Sequence, residues 1–177
     1  VLGIDAAASE FYENGRYVLK SEKLSLSSEE WLDKQLELYN KYPIWSIEDT
    51  FDQNAWEDWT KLVAKVGSRM QIIGDDLLVT NVKKIQKGIE LGSMNSVLIK
   101  LNQIGTVTET IDAIKLAHSV GFITVISHRG GETNDDMIAD LCVGTGSWQS
   151  KFGGPDRGER VAKYNRLLKI EEVLKGA

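Results

Sequence analysis

The sequence has one cysteine, Cys142, and two prolines in 177 residues. A lone thiol excludes an intramolecular disulfide framework and suits a reducing compartment. No apolar run approaches the roughly 20 residues that a membrane helix needs. Positive charge is not in excess: the net charge is −5, with acids and bases interspersed, so the basic footprint of a nucleic-acid-binding surface is missing. Low-complexity tracts are missing too. A chain that is 42% hydrophobic and 27% charged has the composition of a folded globular protein. The opening VLGID has neither the basic segment nor the long apolar segment of a secretory leader. It starts in a strand pattern without Met, which suggests a piece of a longer protein.

What is present is alternation. Short apolar runs at residues 1–4, 44–47, 71–74, 96–99, 122–127 and, weakly, 147–150 read as strands. Helical patterns lie between them. Ser27 and Glu30 form a capping box before Leu32, Leu36 and Tyr39. Trp56, Trp59, Leu62, Val63 and Val66 make a stripe of helical period, best read as core. Asn81 is placed to cap a helix carrying Val82, Ile85 and Ile89 inward. Thr106 and Glu109 repeat the capping pattern, with Gly121 as the stop. A last helix is expected over residues 158–174. Asn14-Gly15 between aromatic-rich arms signals a hairpin. Strand, helix, strand, helix means parallel α/β architecture, either an open doubly wound sheet or a (β/α)8 barrel.

The polar residues at or just past the strand ends are Asp5, Glu48, Asp75, Lys100, His128 and Lys151. Beyond the first gap of 43, which contains the hairpin, their spacings are 27, 25, 28 and 23 residues, each about one βα unit. Strand ends also lead the chain out to water, so one such residue means little. Six in register suggest a site, because catalytic groups of barrels sit at the C-terminal ends of several strands. Asp5, Glu48 and Asp75 are hard oxygen donors that would repel one another unless a cation such as Mg²⁺ joined them. Asp49 and Asp76 read as caps or supporting partners. Lys100, in SVLIKLNQIG, either lies along the surface with its head in water or serves as a base beside a dication. His128 and Arg129, followed by Gly130-Gly131, make a plausible anion cradle, although a histidine there is also commonly structural. His118 is expected at the surface. The chain has no phospho-receiver constellation, no nucleotide-binding glycine motif and no GxSxG elbow.

Several segments resemble the enolase (phosphopyruvate hydratase) family: DAAASEFY, YPIWSIED, IIGDDLLVTN, LIKLNQIGTVTETI, SHRGGET, IADLCVG and ERVAKYNRLLKIEE. The resemblance implies an enolase-type (β/α)8 barrel, of which residues 1–177 would be about the last six βα units. An N-terminal α+β domain and the first barrel strands would lie outside. It implies a cytoplasmic, Mg²⁺-dependent lyase of glycolysis, interconverting 2-phosphoglycerate and phosphoenolpyruvate, homodimeric when complete, with no nucleic-acid or membrane partner. By the same resemblance Asp5, Glu48 and Asp75 are metal ligands and Lys100 is the base. Ser127, His128, Arg129 and Gly130 form the substrate loop, and Lys151 is the cation at the carboxylate; Glu48 and Asp75 also face substrate. The family's general acid, a Glu, falls outside these residues. Three departures stand out. Gly130 replaces a family Ser, Thr50 replaces a Pro linked to cis geometry, and Ser147-Trp148 replaces Thr-Gly, which places a bulky Trp148 near the barrel mouth. These departures and the missing part leave a second expectation, a non-catalytic enolase-like binding or structural protein.

Overall fold

A computed structural model describes residues 1–176. In chain order the elements are β1 (Leu2–Asp5), β2 (Tyr12–Glu13), β3 (Arg16–Leu19), β4 (Leu24–Leu26), α1 (Ser28–Lys41), β5 (Ile44–Glu48), α2 (Trp56–Val66), β6 (Gln71–Gly74), α3 (Val82–Leu91), β7 (Ser96–Ile99), α4 (Leu101–Ile104), α5 (Val107–Ser119), β8 (Ile123–Ser127), α6 (Met137–Gly144), β9 (Gln149–Lys151) and α7 (Gly158–Lys175).

Strand order settles which of the two parallel architectures this is. The large sheet runs β1-β5-β6-β7-β8-β9, and all its pairs are parallel. Each new strand joins the same edge, whereas a doubly wound sheet reverses its order at a switch point. The sheet also curls. Its edge strands would stand about 24 Å apart if six strands lay flat at ~4.8 Å spacing. Yet Lys151 Nζ on β9 lies 2.7 Å from Asp5 Oδ2 on β1. This is six strands of a (β/α)8 barrel, open between β9 and β1.

Alternation along the strands divides the interior. Ile47, Ile72, Val97, Ile99 and Ile126 face outward into the main core, with Leu32, Trp59, Leu62, Ile85 and Ile114 from the helices. Burial of each such side chain contributes roughly 1.5–3 kcal/mol. Ile73, Leu98 and Val125 form a separate small cluster on the concave face. Below them Gln71 Nε2 donates to Ser96 Oγ at 2.9 Å and to Gln149 Oε1 at 2.8 Å. The apolar stripe of α2 is core as expected, with Trp59, Leu62 and Val66 buried.

Local signals explain most boundaries. The Ser27–Glu30 capping box is complete, and Asn81 Oδ1 accepts from the N–H groups of Lys83 and Lys84. Thr106 Oγ1 accepts from Glu109 N. Asn14 and Gly15 take φ values of 52° and 80°, the two positive angles of a type I′ hairpin turn. A third strand, β4, completes that small sheet. It fastens to the site end of the barrel: Tyr17 stacks on Trp31, Trp31 Nε1 donates to Thr50 O, and Tyr17 Oη accepts from Asp52 N.

Strand β7 ends at Ile99, where its apolar run was expected to end, and Leu101 opens α4, which closes at Gly105 with φ of 102°. Three expectations change. The last strand starts at Gln149, so Trp148 precedes it, at the end of the barrel opposite the site. Trp148 is 88% exposed and cannot narrow the mouth. His118 is not a free surface residue, because its Nε2 lies 2.9 Å from Thr124 Oγ1. Helix α6 lies where no helix was expected; Ala139 and Cys142 are its buried residues.

Candidate active site

Every strand of the large sheet ends in a polar group on the same rim. Asp5, Glu48 and Lys151 are the last residues of β1, β5 and β9. Asp75, Lys100 and His128 come one residue after β6, β7 and β8. Asp5 and Glu48 are register partners. They share the ammonium of Lys151, at 2.7 Å and 2.8 Å. Glu48 is buried, and desolvation pushes its carboxyl up to about 7. The Lys151 bond and charge pull it down, while Asp5 and Asp75 push it further up. For Lys151 burial works against the charged form, but its two carboxylate partners outweigh that and raise it above the ordinary lysine value.

Asp75 forms a second ion pair, with Lys100. Both side chains are largely buried, at 8% and 15% exposed, so the surface reading of Lys100 does not hold. Removing one partner of such a pair leaves an uncompensated charge, a loss of about 3–5 kcal/mol. Gln103 Nε2 donates to the other oxygen of Asp75 at 3.2 Å. Asp49 accepts from the N–H groups of Asp75 and Asp76 at 3.0 Å and 2.9 Å. It therefore supports the turn after β6, the role expected of it. Burial raises its carboxyl to about 7 despite those two bonds.

The loop after β8 carries the anion-binding candidates. His128 Nδ1 lies 2.5 Å from Lys151 O. A carbonyl only accepts, so Nδ1 holds the proton and Nε2 of the neutral ring is the free acceptor. Desolvation lowers the imidazole from its ordinary value, helped by the nearby Arg160, although the Lys151 carbonyl works the other way. Arg129 donates to Asn102 Oδ1 at 2.8 Å, and Ser127 Oγ donates to His128 O. The loop is held from behind by α7. Arg160 donates to the carbonyls of Arg129 and Gly130, and Lys163 to that of Thr133. Lys163 is 1% exposed. Sequence reasoning missed these two buried cations, although their spacing of three on a helix was an available clue. A Cβ built at Gly130 meets nothing within 4 Å, so the missing family serine is not excluded by crowding.

A cavity of about 490 Å³ runs along the concave face, lined at its rim by Asp5, Glu48 and Lys151 and lower down by Gln71, Ile73 and Val125. That lies within the usual range for small-ligand sites, ~300–1,000 Å³. Asp5, Glu48, Asp49, Asp75 and Asp76 bring five carboxyl groups to this rim, and Lys100 and Lys151 pair with three of them while supplying only two positive charges. An all-carboxylate surplus suits a hard divalent cation. Among the described residues, the carboxylate oxygens drawn within 4.8 Å of one another are those of Asp49, Asp75 and Asp76. That trio shares only Asp75 with the expected set, because Lys151 gathers Asp5 and Glu48 on the other side.

The family model described as the enolase C-terminal TIM barrel domain matches residues 1–177. An enolase of Rubrobacter xylanophilus is 54% identical over 171 residues, covering 97% of this chain and 40% of that relative. The chain thus spans about two fifths of the length of the curated relative it matches. A parallel sheet built strand by strand toward one edge agrees with a TIM barrel domain, and the chain belongs to the enolase family as part of its C-terminal barrel.

Proposed function

We propose that residues 1–177 are the C-terminal part of the catalytic barrel of a Mg²⁺-dependent lyase that interconverts 2-phosphoglycerate and phosphoenolpyruvate. The observation that carries this reading is the single rim on which Asp5, Glu48, Asp75, Lys100, His128 and Lys151 end their strands. Asp5, Glu48 and Asp75 would hold the ion. When bound, Mg²⁺ supplies positive charge against a substrate carboxylate and its enolate form. Lys100 takes the proton alpha to that carboxylate. Lys151 binds the carboxylate and stabilises the charge that develops on it. Arg129, with the backbone of Ser127 and Gly130, holds the phosphate, and His128 meets the leaving hydroxyl through Nε2. The remaining barrel strands, an α+β domain and a glutamate general acid come from the rest of the protein. The complete enzyme acts as a cytoplasmic homodimer on this small substrate.

The test uses the full-length protein with millimolar Mg²⁺. Substrate should give the absorbance rise of phosphoenolpyruvate, and Lys100→Ala should abolish it. An inactive wild-type protein would instead favour a non-catalytic enolase-like module.

A further inference from the structure

The loop between β6 and α3 contains two consecutive β-branched residues with left-handed backbone. Val79 has φ of 44° and Thr80 of 56°, values that such residues seldom adopt. Strain of this kind persists where the surroundings enforce it, often at functional sites. Thr80 is completely buried, and its hydroxyl is fully used. Oγ1 accepts from Lys100 N at 2.9 Å and donates to Gln103 Oε1 at 3.1 Å. Gln103 Nε2 donates in turn to Asp75 Oδ1 at 3.2 Å. Asp75 Oδ2 accepts from Lys100 Nζ.

These bonds form a directed ring that starts and ends on Lys100. Each polarity follows from the last. The Lys100 N–H must donate, so Thr80 takes it on a lone pair and has its own proton for Gln103. That proton fixes the amide with its oxygen toward Thr80 and its nitrogen toward Asp75. A flipped amide would set its oxygen against a carboxylate oxygen. The ring therefore anchors Lys100 at both ends, the backbone through Thr80 and the ammonium through Asp75. Gln103 is available because α4 starts directly after Lys100. The left-handed turn at Val79–Thr80 is what brings the hydroxyl under the end of β7.

We propose that Thr80 and Gln103 are positioning residues that together orient Lys100 and Asp75 for proton abstraction. The proposal rests on the reading of Lys100 as the base. The Thr80 hydroxyl and the Gln103 amide are both engaged within the ring, so their loss should slow the chemical step and leave substrate binding largely intact. Groups that support a metal ligand or base in this way commonly change activity by ~10–100-fold.

The experiment uses the full-length protein with saturating Mg²⁺. Thr80→Val, which keeps the shape and removes the hydroxyl, should lower kcat by about 10-fold or more with KM little changed. Thr80→Ser should restore most of the rate. Gln103→Met should match the loss, and the double variant should be no worse than either single one, since the ring acts as a unit. Amide hydrogen exchange at Lys100, measured without Mg²⁺, should accelerate in Thr80→Val and recover in Thr80→Ser. Gln103 is only partly buried, so its variant decides the matter if Thr80→Val fails to fold. An active wild-type enzyme whose Thr80→Val or folded Gln103→Met variant keeps full kcat overturns this proposal alone. An inactive wild-type protein overturns the lyase reading and this inference with it.

Discussion

His128 sits near two cationic side chains, Arg160 and Lys151, with its Nδ1 tied to the Lys151 carbonyl. Burial is the largest influence and lowers its pKa below the ordinary 6.5. The sign follows from linkage: the unfolded chain binds the proton more readily than the folded one. The stabilising contribution of neutral His128 is complete above the unfolded value and is lost as pH falls from there through the lower folded value. Proton NMR titration of the full-length protein should therefore place the His128 midpoint below 6.5, with the resonance lost in His128→Gln giving the assignment. A midpoint at or above 6.5 would contradict the burial described for this ring. Gly130 offers a second residue-level test. Its φ lies outside the left-handed range and its Cβ position is open, so Gly130→Ser should fold as well as the parent or better by about 0.4–1 kcal/mol. A hydroxyl returned beside Arg129 should lower KM for a phosphorylated substrate with kcat little changed. An unchanged or higher KM would mean that the loop does not bind phosphate there.

At the scale of elements, the helix starts were legible because capping chemistry is local. Asn81 accepts two N–H groups of the first turn of α3, both among the donors that a helix start leaves without an intrahelical partner. Asn81→Ala should lower stability by about 1 kcal/mol, read as a lower denaturant midpoint at constant slope. No change would mean that tertiary packing alone holds the start of α3. The six strands were legible from short apolar runs bounded by turn residues, and their phase placed one polar group at each end. What was not legible came from the same shortness. Leu101 follows the apolar run of β7 but belongs to α4, and only Lys100, still extended at φ of −129°, separates the two. A two-residue shift at β9 moves Trp148 from inside a strand to the far end of the barrel. The positive φ of Val79 and Thr80 breaks the usual preference of β-branched residues. Sequence rules therefore missed the ring around Lys100, whose members were visible only as an ordinary Thr and Gln.

Over the whole molecule the open side of the sheet matters most. β1 and β9 each have one unpaired edge, facing a gap that side chains of Lys151 and Asp5 bridge but no backbone does. A (β/α)8 barrel closes its sheet and so has no edges. Apolar surface is exposed nearby: Val1 is 97% exposed, and Leu2, Leu168, Val173 and Leu174 are also open. The Lys151–Asp5 ion pair across the gap cannot replace the missing strands, since a pair this exposed to water contributes little, ~0–1 kcal/mol. Residues 1–177 expressed alone should consequently associate through their free edges and melt at low temperature over a broad range. Light scattering after size exclusion should show species larger than 19.7 kDa. The fragment should show no turnover with Mg²⁺ and 2-phosphoglycerate, because the rim would lack its acid partner. Supplying the preceding part of the protein in trans should sharpen the melt before it restores any activity, since edge pairing must precede assembly of the site. A monomer with a sharp, cooperative transition would show that the curled six-strand sheet and its helices are sufficient for a stable fold.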